Sequence, residues 1–185
     1  MTDKIMIIRH AEKPTDPGIS PEFDGVSANG QMNPEELIVR GWQRSGGLVR
    51  LFKPRDGHFV DPHLATPQTI FASGIGHHSN SLRPQHTVLE LATLLGLQLN
   101  TQFLKDDFAN MVPAAVATSG DVLIAWEHQD IPAIANQILS SSTTVPQQWP
   151  GDRFDIVWVF DRQGSGWSFS QVPQLLLAGD SPAPI

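Results

Sequence analysis

Short apolar runs alternate with amphipathic segments along the chain. The first run, Ile5 to Ile8, is rich in β-branched residues and ends in charge, which is typical of a buried β-strand. Similar runs at 69–72 and 121–126 predict two more buried strands. Apolar residues at helical spacing predict helices at about 82–95 and 131–139.

A further helix is predicted to start at Asn33. Asn33 is expected as its N-cap, Pro34 as the first helical residue and Glu36 as the acid that reaches back to the cap. Apolar residues continue at helical spacing and stop before Pro54. A loop rich in Gly, Pro, Asp and Asn, at about 14–32, precedes this helix and is long enough to suggest a function.

The last quarter of the chain predicts a β-hairpin. Its strands are expected at 154–160 and 167–172, joined across Gly164 to Gly166. Because no repeat or linker interrupts the chain, we expect one domain over residues 1–185. Strands that alternate with helices predict an α/β fold, a three-layer α/β/α sandwich with a mostly parallel central sheet.

Composition and charge narrow the possible partners. A formal net charge of −7 argues against nucleic-acid binding, which needs a basic surface. No segment approaches the roughly 18 apolar residues that span a membrane. The chain has no cysteine, which excludes thiolate chemistry and disulfides. Residues 1–4 show no signal-peptide pattern before the first strand, so we expect a cytoplasmic protein.

Residues with catalytic chemistry follow three of the predicted strands. Arg9 and His10 follow the first strand, Arg83 lies in the first helical turn after the second, and Glu127 and His128 follow the third. Open α/β sheets bind ligands outside the carboxyl ends of their strands, so these side chains are expected to converge. Two guanidiniums can hold phosphate oxygens, one imidazole can attack phosphorus, and the other can donate a hydrogen bond.

The chain resembles the histidine phosphatase (phosphoglycerate mutase-like) superfamily. The resemblance lies in Ile7 to Glu12, in Leu37 to Ser45, in Ala72-Ser73 followed by Ser79, Arg83 and Thr87, and in Val122 to Ile124 leading to His128. In three features the chain departs from the usual pattern. Ala11 replaces a glycine, the loop after His10 is unusually long, and His128 lies in Trp126-Glu127-His128-Gln129, where small residues are more usual.

The resemblance implies a phosphoglycerate mutase-like fold and a phosphatase that needs neither a metal nor a cofactor. His10 would attack a phosphomonoester and become a phosphohistidine. Arg9, Arg83 and His128 would hold the phosphoryl group, and water would then release inorganic phosphate. Lys13 and Glu127 are further expected to contact this small-molecule substrate.

The proton donor for the leaving alcohol has four candidates. Asp106 lies where the mutase-like branch of the superfamily carries its acid, and Asp107 is its neighbour. Asp130 corresponds to the aspartate of acid phosphatase relatives, although it is also placed to cap a helix. Glu127 is the fourth candidate because it adjoins His128.

Two other functions stay open, a phosphomutase and a non-catalytic module that binds a phosphorylated ligand. His77-His78 is the most conspicuous candidate for a metal site, but its spacing fits no familiar zinc pattern, and no metal site is expected. The natural substrate and the oligomeric state are not decided by the sequence.

Overall fold

The fold is a five-stranded sheet with two helices on each face. The structure is a computed structural model that describes residues 2–16 and 18–185. Met1 and Pro17 lie outside the described residues. Met1 belongs to the segment in which no signal-peptide pattern is predicted, and Pro17 belongs to the predicted long loop. The strands are β1 (Lys4–Arg9), β2 (Thr69–Ala72), β3 (Val122–Trp126), β4 (Ile156–Gln163) and β5 (Gly166–Pro173). The helices are α1 (Val39–Phe52), α2 (Arg83–Leu95), α3 (Phe108–Ala117) and α4 (Ile131–Leu139).

The strand order β2-β3-β1-β4-β5 places the three strands that precede the candidate residues side by side. β3 pairs in parallel with β2 and with β1, and Arg9 lies opposite Trp126 in the last register position. β4 is antiparallel to both of its neighbours, so it alone runs against the other strands. The expected mostly parallel sheet and the C-terminal hairpin are therefore confirmed.

Alternation along the strands supplies a core on each face of the sheet. Ile5 and Ile7 of β1 pack in one core with α3 and α4. Met6 and Ile8 point to the opposite face and pack in a second core with α1 and α2. Because successive side chains of a strand face opposite ways, a continuous apolar run is what a sheet covered on both sides requires. The predicted three-layer sandwich is confirmed.

The predicted helix start at Asn33 is wrong, because α1 begins at Val39. Asn33 instead forms a turn, in which its Oδ1 accepts a hydrogen bond from the Glu35 N–H at 3.0 Å. Asparagine side chains stabilise turns and helix caps through the same local hydrogen bonds, so the residue type does not separate the two. The Glu36 carboxylate pairs with His86 Nδ1 at 2.5 Å instead of capping a helix.

Helix α3 was not expected from the sequence because Pro113 lies inside it. Proline has no N–H to donate to the carbonyl four residues earlier, which here belongs to Ala109. Gln137 of α4 compensates, since its Nε2 donates to Ala109 O at 3.0 Å. Within the described part of the chain, no helix has the length and apolar character needed to cross a membrane.

Candidate active site

The three adjacent strand ends open into one cavity of about 470 Å³. Five residues expected from the sequence line it: His10, Lys13, Arg83, Glu127 and His128. His10 continues directly from β1, and its backbone N–H donates to Trp126 O at 3.0 Å, which extends the strand pairing by one residue. Convergence at the carboxyl edge of the parallel strands follows from the sheet order.

His10 is a buried imidazole with one nitrogen already assigned. Its Nδ1 lies 2.8 Å from Ala11 O, and because a carbonyl only accepts, Nδ1 must carry the hydrogen. In the neutral ring, Nε2 then holds the free lone pair. Burial lowers the pKa of His10 to about 3, with a further contribution from the charge of Arg9. The ring is therefore uncharged at physiological pH.

Arg9 is 1% exposed and is not among the residues that line the cavity. Its Nη1 donates to Gly151 O at 2.7 Å and to Arg153 O at 3.1 Å. Its Nε and Nη2 are buried without a partner among the described residues. Burial lowers the pKa of Arg9 to about 10, which leaves the guanidinium charged at neutral pH.

Arg83 enters the cavity from the first residue of α2. Its Nη1 donates to Pro34 O at 2.9 Å and lies 4.0 Å from Glu35 Oε2. Its Nε is buried and has no partner in the described part of the chain. Burial lowers the pKa of Arg83, although the nearby carboxylate of Glu35 opposes this shift. The N-terminal turn of α2 also favours negative charge, so this corner of the cavity suits an anion.

His128 completes the group at the end of β3. Burial lowers its pKa to about 4, and the charges of Arg9 and Lys13 lower it further. At neutral pH the ring is uncharged, and it offers one N–H donor and one acceptor to a ligand.

Among the four candidate proton donors, the cavity wall includes Glu127 alone. Lys105 Nζ lies 3.8 Å from Glu127 Oε2. Asp106 is exposed on a short 3-10 helix at 105–107, and Asp107 accepts a hydrogen bond from Asn110 at 2.5 Å. Neither aspartate lines the cavity.

Asp130 also lies outside the cavity wall, at the position that precedes α4. It occupies the N-cap position of α4 as predicted, but its side chain makes no capping hydrogen bond. Burial raises the pKa of Asp130, and the charge of Glu127 raises it further.

Glu12 pairs with two arginines of α1 and not with its sequence neighbour Lys13. Its carboxylate accepts from Arg44 Nη2 at 2.8 Å and from Arg40 Nε at 3.2 Å. Lys13 lines the cavity and pairs with Asp16 at 2.7 Å. Glu12 thus anchors the loop to α1 and leaves Lys13 at the cavity.

Some lining residues have no signal in the sequence analysis. They are Glu35, Lys105, Gln129 and the loop residues Asn80 and Ser81. Glu35 was missed because its segment was interpreted as a helix start. His77 and His78 line the rim. Among the residues that the structure describes, no three His, Asp or Glu side chains are grouped as metal ligands.

Comparison with known proteins finds the same fold in solved structures of low sequence identity. No family model matches the chain, and no curated protein matches it. The protein histidine phosphatase SixA, solved with tungstate, is 14% identical with a TM-score of 0.56, and the match covers 92% of this chain and 97% of that one.

Two further structures match over similar lengths. A phosphoserine phosphatase from Entamoeba histolytica, solved with phosphoserine, is 12% identical with a TM-score of 0.57, covering 96% of this chain and 100% of that one. A mycobacterial glucosyl-3-phosphoglycerate phosphatase is 12% identical with a TM-score of 0.55, covering 92% and 97%. The chain therefore has the fold of the histidine phosphatase superfamily, as its motifs indicate.

Proposed function

We propose that this protein is a phosphatase that hydrolyses a phosphomonoester through a covalent phosphohistidine on His10. The observation that carries the proposal is a set of unpartnered buried donors. Nε and Nη2 of Arg9 and Nε of Arg83 have no hydrogen-bond acceptor among the described residues. Leaving such donors buried and unpaired costs free energy, so they favour a ligand with several anionic oxygens. A phosphoryl group next to His10 supplies those oxygens.

The first half of the reaction transfers the phosphoryl group to His10. Its neutral Nε2 attacks phosphorus, the bond from phosphorus to the ester oxygen breaks, and a phosphohistidine forms. The hydrogen bond from Nδ1 to Ala11 O keeps the lone pair on Nε2. Arg9, Arg83 and His128 stabilise the charge on the transferred group. The guanidiniums supply the positive charge for which other phosphatases use a metal ion.

The leaving alkoxide takes a proton from Glu127 in this proposal. Glu127 is favoured over Asp106, Asp107 and Asp130 because it alone of these four lines the cavity. In the second half, water attacks the phosphohistidine, Glu127 takes a proton from that water, and inorganic phosphate leaves. The same carboxyl group is thereby returned to its starting state.

The chemistry of the structural neighbours supports this class of substrate. Solved structures with the same fold hold tungstate, phosphoserine or inorganic phosphate. Each of these is, or carries, a tetrahedral oxyanion. Lys13 lines the cavity as a further cation, and in this proposal it contacts the substrate.

Turnover of p-nitrophenyl phosphate in the presence of EDTA tests the proposal. We expect hydrolysis that EDTA does not reduce and that His10→Ala abolishes, with the variant still folded by circular dichroism. Phosphate binding without turnover would favour the non-catalytic module instead. Hydrolysis that requires an added divalent metal, or that persists in His10→Ala, would contradict the proposed mechanism.

A further inference from the structure

Phe154 lies against both of the residues that matter most to the proposed chemistry. The Arg9 guanidinium carbon is 3.7 Å from the centroid of the Phe154 ring. The centroid of the His10 ring is 6.1 Å from that of Phe154, at an interplanar angle of 56°. The sequence pattern predicts Phe154 only as the first residue of a strand, whereas β4 begins two residues later, at Ile156.

The contacts of Arg9 divide into two kinds. Along one edge, Nη1 donates to the carbonyls of Gly151 and Arg153. Over one face, the Phe154 ring attracts the cation through its negative π surface. All of these partners come from the segment 150–154, which leads into β4. The other edge keeps Nε and Nη2 without a partner in the described part of the chain.

This choice of partners has a chemical consequence. A carboxylate hydrogen-bonded to Arg9 would hold it firmly but would also neutralise it and compete with a bound anion. Carbonyls and an aromatic face hold a guanidinium without carrying a negative charge. Arg9 is thus immobilised with its positive charge available, which is what preorganised electrostatic stabilisation requires.

We propose that Phe154 is a positioning residue that holds the Arg9 guanidinium ready for the phosphoryl group. This inference rests on the proposed function, since it concerns the same anion site. Phe154 acts through the face of its ring, so the electron density of the ring matters as well as its shape. A side chain of similar bulk without a π surface does not replace it.

Substitutions at position 154 separate ring electrostatics from packing. We expect Phe154→Leu to weaken the binding of inorganic phosphate, measured by calorimetry, and to lower kcat/KM, each by roughly tenfold. Phe154→Tyr keeps the π surface and should stay close to the unchanged protein. Should Phe154→Leu fail to fold, a ring-trifluorinated phenylalanine at position 154 keeps the shape, depletes the π surface and should weaken phosphate binding.

A double-mutant cycle with Arg9→Ala tests whether the effect passes through Arg9. In that background, Phe154→Leu should add almost nothing to the loss of phosphate affinity. Trp167→Leu is the matched control, because it removes a second aromatic–arginine contact, with Arg162 at 4.2 Å, that lies outside the candidate cavity. It should leave phosphate affinity unchanged.

The outcomes distinguish this inference from the proposed function. Normal phosphate affinity in folded Phe154→Leu or in the trifluorinated protein would overturn the inference while leaving the phosphatase proposal intact. An equal loss from Phe154→Leu with or without Arg9 would also overturn it, because the role would then be packing alone. If the unchanged protein neither binds nor hydrolyses phosphate compounds, both proposals fail. Phosphate binding without turnover contradicts the phosphatase alone, and the calorimetric series still decides the role of Phe154.

Discussion

The Ala11 backbone N–H donates to Thr87 Oγ1 at 2.8 Å, which joins the end of β1 to α2. That hydroxyl donates in turn to Arg83 O at 2.7 Å. Thr87 is fully buried, so no water competes for either bond. One hydroxyl therefore links the backbone next to His10, the proposed nucleophile, with the backbone of Arg83.

Thr87→Val should disturb this spacing while keeping the side-chain shape. It leaves the Ala11 N–H buried and unpaired, which we expect to cost about 1–3 kcal/mol in the free energy of unfolding. Because small displacements at a reacting centre are expensive, kcat/KM should fall by roughly ten- to a hundredfold. Urea unfolding and steady-state kinetics measure the two effects. Thr87→Ser retains the hydroxyl and should recover most of both, and equal losses in the two variants would contradict this role.

Removing the Arg44 side-chain charge should destabilise the fold strongly. Arg44 is 2% exposed and bonds the carboxylates of Glu12 and Asp180 as well as Gln174 Oε1. Burial alone would raise the pKa of Asp180, but its hydrogen bonds with Arg44 lower it overall. Arg44→Met removes the buried cation that Glu12 and Asp180 share, and we expect a loss of about 3–5 kcal/mol in urea unfolding.

The exposed ion pair of Lys13 and Asp16 provides the control for the unfolding measurement on Arg44→Met. Asp16→Asn should leave the free energy of unfolding unchanged within error, because exposed ion pairs contribute little. A loss for Arg44→Met as small as that of the control would show that the network does not anchor the fold.

The low pKa of His10 predicts acid destabilisation with a definite sign. Above pH 6.5, this histidine is neutral in both the folded and the unfolded chain, so its titration does not change the free energy of unfolding. As the pH falls from 6.5 towards about 3, the unfolded chain takes up a proton that folded His10 does not. Stability should therefore fall in this window by about 1.4 kcal/mol per pH unit from this residue alone.

Unfolding free energies measured across this pH range test the assignment. The free energy of unfolding of His10→Asn should depend less steeply on pH than that of the unchanged protein. The difference in slope should correspond to up to about one proton per molecule. His58, with an 86% exposed side chain, is the control, and His58→Asn should leave the slope as it was. An identical pH dependence for His10→Asn and the unchanged protein would mean that His10 is not held neutral by burial.

The effect of Glu127→Gln on kcat should depend on the leaving group of the substrate. An alkyl phosphate needs a proton on its departing oxygen, so we expect kcat to fall by about 10²- to 10⁴-fold. Nitrophenolate leaves without that proton, so the rate of phosphoryl transfer from p-nitrophenyl phosphate should fall much less. Asp106→Asn is the matched control and should behave normally with both substrates. If Asp106→Asn shows the selective loss instead, the donor assigned to Glu127 is wrong.

Much of the fold and part of the site could be predicted because local patterns encode them. The apolar runs of β1 and β3 follow from burial on both faces of a sheet. The helix at 131–139 matches its predicted bounds, and that at 82–95 begins one residue later, because each has apolar residues at helical spacing. His10, Arg83 and His128 were found because polar residues at the ends of parallel strands converge in three dimensions.

What escaped prediction depends on distant partners. Helix α3 tolerates Pro113 because Gln137 of another helix supplies the missing hydrogen bond. Glu12 pairs with Arg44, 32 residues away, although Lys13 is its neighbour in sequence. The Arg9 guanidinium is held by the carbonyl of Gly151, 142 residues away. No local pattern carries these contacts, so only the assembled fold reveals them.

Trapping the covalent intermediate tests the central claim most directly. The protein is mixed with a labelled phosphomonoester, quenched in alkali after a fraction of a turnover, and digested for mass spectrometry. We predict one phosphoryl group on the ring of His10, stable to alkali and released by acid. Turnover with no labelled histidine, or with the label on a residue other than His10, would contradict the account.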